Sequence, residues 1–303
     1  MKAELAIIIP YYKLTFFEDT LVSLANQTDK RFKVYIGDDA SPESPDFLLE
    51  HFKGQFDFIY HRFHNNLGQD SLTKQWDRCI ALAQDEPWLM ILGDDDVLEL
   101  TVVESFFKHH ELFYNSSYVI RFATHVINEI TKTTSSIFKQ PELENAYTSF
   151  YRRIIGENRS TLSEYIFSKA KYNQFGFVNY PLAWHSDDRA WLDFSDGLPI
   201  YSINEATVSI RMSNLHISSK TDNLKQKHQA QLLFYNYLVN IKLDSFTKKQ
   251  QKVILSKYEK LLFVNKGLPF KHFFNLILVY FRTLKVKALI HLKLRGLKHY
   301  FKK

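Results

Sequence analysis

Three consecutive carboxylates, Asp94, Asp95 and Asp96, stand directly behind the apolar run Trp88-Leu89-Met90-Ile91-Leu92-Gly93. The run reads as a buried strand, and charged groups cannot follow it into a core, so the acids belong at its exposed C-terminal end. Adjacent acidic side chains repel one another unless a cation or a set of donors neutralises them. Hard carboxylate oxygens suit Mn²⁺ or Mg²⁺, which keep waters and take their remaining ligands from a substrate phosphate. A cation and nucleoside-diphosphate site is therefore one reading. The other is a solvated acidic turn ahead of a helix starting near Thr101.

The elements that position these acids follow a βαβαβαβ pattern. Residues 3–10 form a nearly continuous apolar strand that ends at Pro10, as parallel strands do when helices cover both faces. Thr15 and Glu18 have capping-box spacing for a helix over about 16–26. A second strand, Phe32 to Gly37, also delivers acids, Asp38 and Asp39. Helices over 45–53 and 71–84 and a strand over 56–62 complete the approach to Asp94. The alternation predicts an α/β domain with a mostly parallel sheet flanked by helices, and such sheets bind ligands beyond the carboxyl ends of their strands. No Gly-x-Gly-x-x-Gly fingerprint or P-loop is present, so a metal would have to hold phosphate. A helix is expected over 101–114 and a strand over 118–126. The polar stretch 127–160 reads as a long loop able to close over a substrate. Beyond it, Asp187 and Asp188 form another acid pair, or the cap of a helix beginning near Arg189.

Taken in order, several stretches resemble the family 2 glycosyltransferases of GT-A fold: 7–12, 21–28, 32–41, 65–68, 91–97 and Asp187-Asp188. The resemblance implies that Pro10, Tyr12 and Asp39, with Asp38 nearby, lie beside the base and ribose of a nucleotide sugar, usually a UDP-sugar. It also puts Asp95 toward the ribose and Asp96 on the metal. Gly93 replaces the usual first acid of that motif, Asp94 being a possible substitute, and Lys13 replaces a frequent Asn. The catalytic base falls on Asp188, with Asp187 as runner-up. Arg211 is implied near the diphosphate, and His216 likewise, with the capacity to ligate metal. His185 stands where it can contact acceptor, while Trp184 and Trp191 read as core.

The charge of +6 is unevenly spread. From Lys271 to Lys303 there are nine Lys or Arg and no Asp or Glu, interleaved with Leu, Ile, Val and Phe. This basic amphipathic tail predicts a helix on an anionic membrane surface; packing on the protein and an oligomer contact are the alternatives. No nucleic-acid motif accompanies it. The single cysteine, Cys79, permits no intrachain disulfide and reads as core. No signal peptide and no stretch of about 20 apolar residues is found. The expectation is a catalytic domain over 1–220 and a helical extension over 221–303. It would be an inverting, metal-dependent enzyme, peripheral on the cytoplasmic face of a bacterial membrane, that glycosylates a saccharide or lipid-linked acceptor in cell-surface polysaccharide synthesis. A catalytically silent binding or scaffold protein and a nucleotidyltransferase are the competing classes.

Overall fold

The computed structural model describes residues 4–214, 223–264 and 276–280. The chain divides into two compact units, Met1–Asp222 and Asn223–Lys303.

The first unit is built on a mixed sheet. Strand β1 (Leu5–Tyr11) pairs in parallel with β2 (Phe32–Asp38) on one side and β4 (Trp88–Ile91) on the other, and β2 pairs in parallel with β3 (Phe58–Arg62). Leu5 to Ile9 and Trp88 to Ile91 are all buried, which is why both segments read as unbroken apolar runs. Helices α1 (Phe17–Ala25), α2 (Asp46–Phe52) and α3 (Leu72–Ile80) connect these strands. The Thr15/Glu18 capping box does not form, because α1 starts at Phe17 and its N-cap position falls on Phe16. Ser71 does cap α3, accepting from the Lys74 amide. Cys79 packs under Gly37, where an added Cβ would lie 2.3 Å from the Cys79 sulfur. Burial drives this thiol far above its ordinary pKa, so it is core and inert.

Beyond β4 come β5 (Val97–Leu98), α4 (Val102–Phe113) and β6 (Val119–Asn128). The stretch 127–160 is not one loop: it contains β7 (Thr133–Thr134), β8 (Leu143–Asn145) and α5 (Ala146–Ile154). Strand β9 (Tyr165–Ser168) then inserts antiparallel between β4 and β6. After α6 (Lys169–Phe175) and α7 (Ser186–Phe194), the long β10 (Pro199–Met212) runs parallel to β6 and antiparallel to β5. The resulting order is β3-β2-β1-β4-β9-β6-β10-β5. The chain starts in β1, walks outward to β3, and returns to place β4 on the other side of β1. Strand order therefore reverses between β1 and β4, the place where such sheets open a crevice.

The second unit contains α8 (Leu224–Tyr237) and α9 (Lys248–Val264), with the Tyr258 hydroxyl of α9 donating to Asn236 Oδ1 of α8 at 2.9 Å. Among the described residues no helix is long and apolar enough to cross a membrane. The basic stretch after Lys271 lies outside the described residues except for 276–280.

Candidate active site

At the β1/β4 crevice lies an open cleft of about 370 Å³, lined by Pro10 from β1, Asp94, Asp95 and Asp96 behind β4, Trp76 from α3, Arg159 and Ser163 ahead of β9, and Arg211 from β10. The three acids reach it by different tethers. Asp94 Oδ2 accepts from the backbone amides of Tyr12 and Lys13, both at 2.8 Å, and so ties the end of β1 to the end of β4. Asp96 Oδ1 accepts from the Arg211 amide at 2.9 Å, and its Oδ2 accepts from the Ser163 hydroxyl. Ser163 in turn accepts from the Gly93 amide at 3.0 Å. The Asp95 carbonyl accepts from Arg211 Nε at 2.9 Å.

Burial and mutual repulsion shape their acidity. Asp94 is pushed up to about 6, first by burial and then by the charge of Asp95, against the lowering effect of the Lys13 and Tyr12 amides. Asp96, 7% exposed, is pushed up to about 7 by burial and by Asp95. Asp95 is raised by burial, with Lys13 and Arg211 opposing. Carboxylates held together at this cost are a donor set that a cation would relieve. Among the described residues no three His, Cys, Asp or Glu side chains converge as a closed metal cage. A nucleotide-bound Mg²⁺ or Mn²⁺ needs only one or two protein carboxylates, the phosphates and waters supplying the rest. The residues fit such an ion.

The other acid cluster is built differently. Asp38 is fully buried, its Oδ1 accepting from the Ser41 amide at 2.7 Å and its Oδ2 from the Tyr60 hydroxyl at 2.6 Å and Arg62 Nη1 at 2.7 Å. Asp39 accepts from the amides of Leu67 at 2.7 Å and Gly68 at 2.8 Å, and pairs with Arg78. Neither lines the cleft. The two clusters are joined through Ser41, whose hydroxyl donates to the Tyr12 carbonyl at 2.7 Å. Tyr12 itself is exposed.

Asp187 and Asp188 sit in the first turn of α7. Asp188 is 3% exposed, paired with Arg153 and with His185 Nδ1 at 2.6 Å. Burial and the Arg153 charge lower the His185 pKa to about 3, so the imidazole is neutral and its Nδ1–H donates to the carboxylate. Asp188 opens into a separate cavity of about 10 Å³ with Arg153, Asn158 and Ser160. It is therefore not in the cleft with Asp96. Asp187 is half-buried; burial raises its pKa against the lowering charge of Arg153. Leu182, Ala183 and His185 all have positive φ, at 59°, 53° and 70°. Such strain, just ahead of an acid pair, collects at functional sites.

Arg211 lines the cleft, yet its guanidinium serves the scaffold rather than a diphosphate: Nη2 donates to Asp19 at 2.6 Å and Nη1 pairs with Glu129. Trp191 stacks on Tyr165 at 4.1 Å between ring centroids, a core role. His216 lies outside the described residues. Three site residues were not singled out from sequence: Ser163, Glu164 and Arg159. Glu164 is buried and pushed up to about 7, its charge adding to the load on Asp96. All three stand in a polar run with no periodicity, where only the nearness of β9 gives a signal.

Residues 6–171 match the family described as Glycosyl transferase family 2. No curated protein matches the sequence. Crystal structures of S. aureus TarS 1-349 are similar in fold over 99% of this chain and 89% of theirs. In complex with UDP the TM-score is 0.64 at 14% identity, and in complex with UDP-GlcNAc it is 0.66 at 16%. The sheet and its flanking helices are the GT-A fold. Since the match spans more than half of its length, the chain belongs to glycosyl transferase family 2.

Proposed function

We propose that this glycosyltransferase moves a sugar from a nucleoside-diphosphate donor, a UDP-sugar first among them, onto a saccharide or lipid-linked hydroxyl with inversion. The observation that carries the reading is the cleft at the strand-order reversal, with Asp94, Asp95 and Asp96 on its wall. Support comes from the UDP and UDP-GlcNAc held by the similarly folded TarS structures.

In this reading Asp95 and Asp96 would hold Mn²⁺ or Mg²⁺, with His216, which the family resemblance implies, as a further ligand. When bound, the ion offsets the charge that gathers on the departing diphosphate. Pro10 and Tyr12 border the nucleoside. Asp38 and Asp39, saturated by protein donors, act by fixing the loop at 65–68 and the Tyr12 backbone. An acid at α7 removes the proton of the acceptor hydroxyl as its oxygen attacks the anomeric carbon. Exposure favours Asp187 for that step over the enclosed Asp188, which fixes the helix start through Arg153 and His185. The cationic stretch after Lys271 holds the enzyme on the cytoplasmic face of an anionic membrane, where a lipid-linked acceptor would be found.

Thermal melting with UDP, GDP and dTDP sugars, with and without Mn²⁺, tests the donor site. Stabilisation by UDP compounds that grows with Mn²⁺ is expected; a melting temperature indifferent to every nucleotide would reject it. The enclosure of Asp188 favours a second reading, a silent donor-binding protein. Release of UDP from UDP-GlcNAc in the presence of Mn²⁺ separates the two.

A further inference from the structure

The cations around the cleft are unequal. Arg211 is committed to Asp19, Glu129 and the Asp95 carbonyl, and Arg78 to Asp39 and Asn65. Arg153 is committed to Asp188. Arg159 is different. It lines the cleft half-buried, and among the described residues its guanidinium makes no hydrogen bond and no ion pair. Its charge opposes the burial that raises the nearby Glu164 carboxyl. A guanidinium with five donors facing a cavity large enough for a ligand, and no protein acceptor for them, is a ready partner for a planar or tetrahedral oxyanion.

Its position says which oxyanion. Ser163, four residues on, touches Asp96 directly, so the segment carrying Arg159 adjoins the triple-aspartate wall of the cleft. The same segment turns Asn158 and Ser160 the other way, into the small cavity with Asp188. Arg159 thus stands on a single thickness of chain between the triple-aspartate wall and the α7 acids.

We propose that Arg159 is a phosphate-binding residue of this cleft, taking phosphoryl oxygens either from the donor's diphosphate or from a phosphate-bearing acceptor. The inference rests on the glycosyltransferase reading above and names a residue for its anionic ligand. A paired Arg–phosphate contact is worth about tenfold or more in affinity. Its electrostatic part weakens with salt.

The test compares wild type, Arg159→Gln and Arg159→Lys, with binding followed by calorimetry and folding checked by thermal melting. Since the guanidinium supports no other side chain through a hydrogen bond among the described residues, the variants should melt as wild type does. In the first arm, UDP and uridine are titrated with Mn²⁺ present. If the phosphate is the donor's, UDP binds about tenfold or more weakly to Arg159→Gln, uridine binds equally to both proteins, and Arg159→Lys recovers part of the loss. In the second arm, inorganic phosphate is titrated into the UDP-saturated protein. Loss of that binding in Arg159→Gln with UDP affinity intact assigns the residue to an acceptor phosphate. Equal affinities for wild type and Arg159→Gln in both arms overturn the proposal. Wild type that binds no UDP would instead strike the donor reading, and phosphate titrated into the nucleotide-free protein then tests Arg159 by itself.

Discussion

Two strands of one sheet, β2 and β4, each run buried and apolar into adjacent aspartates, and the structure treats the two sets in opposite ways. At the end of β2, Asp38 and Asp39 receive six protein donors between them, two of them arginines. At the end of β4, Asp94 and Asp96 are raised to about 6 and about 7, burial being the first cause and the neighbouring Asp95 charge the second. The first set is neutralised by paired arginines; in the second, Asp94 and Asp96 are held by backbone amides and the Ser163 hydroxyl, and burial with mutual repulsion governs their acidity. A related division recurs on α7, where Asp188 forms ion pairs with Arg153 and His185 while Asp187 is raised by burial with the Arg153 charge opposing. An acid saturated by its own protein should govern stability. An acid raised by burial where substrate would bind should govern turnover.

The largest effect that can break this division is at α7. Asp187→Asn is expected to lower the transfer rate by about 10²–10⁴-fold, roughly 3–5 kcal/mol of barrier, with unfolding unchanged. Asp188→Asn should instead lower stability, because it weakens the partner of a half-buried Arg153. Steady-state kinetics beside urea unfolding reads both, and a reversed pattern would return the base to Asp188. Next in size is Asp39→Ala, which leaves Arg78 and two amides without their acceptor and is expected to cost about 3 kcal/mol in denaturant unfolding. Asp95→Asn, by contrast, removes a repelling charge and should unfold no more easily than wild type, while losing Mn²⁺-dependent UDP affinity.

A smaller effect follows from pH. The Asp96 carboxyl titrates near 3.8 when unfolded and about 7 when folded, so between those values the native state carries more protons than the unfolded one. Stability from this group is full below about pH 4 and is lost as pH rises through 7. Asp96→Asn should flatten that part of the stability profile. A slope that survives the substitution would place its source at another group, Glu164 first.

The sequence exposes the first half of the fold because its physics is local there: unbroken apolar strands from Leu5 to Ile91, helices with a hydrophobic stripe, and acids at strand ends. It conceals the second half because the inward faces are polar. Helix α5 turns Ser149 inward toward Arg121, which also pairs with Glu144 of β8, and such a buried ionic network erases the apolar period that would announce a helix. The reach of β10 and the antiparallel insertion of β9 depend on pairing between distant segments, which no window of sequence records. The site was legible to the same degree. Asp94 to Asp96 are visible as a motif, whereas the commitment of Asp38, Asp39 and Arg211 to protein partners, and the lack of one for Arg159 among the described residues, exist only after folding.

The finest test of the division uses two glycines, one in each acid cluster. A Cβ on Gly68 would lie 2.5 Å from Asp39 Oδ2, and that oxygen cannot swing away, since the Gly68 amide and the opposite oxygen's ties to Leu67 and Arg78 hold the carboxylate. A Cβ on Gly93 would meet Asp96 Oδ2 at 3.0 Å and Asp95 Oδ1 at 3.1 Å, contacts that a shift of a few tenths of an ångström relieves. Gly68→Ala should therefore cost about 1–2 kcal/mol and Gly93→Ala less than about 1 kcal/mol in unfolding free energy. Their effects on Mn²⁺-dependent UDP binding should run in the opposite order, because only Gly93 touches the acids that face the cleft. Equal costs at the two glycines would mean that the carboxylates behind β4 are held as rigidly as those behind β2, and the contrast between an arginine-paired and an amide-held cluster would fall.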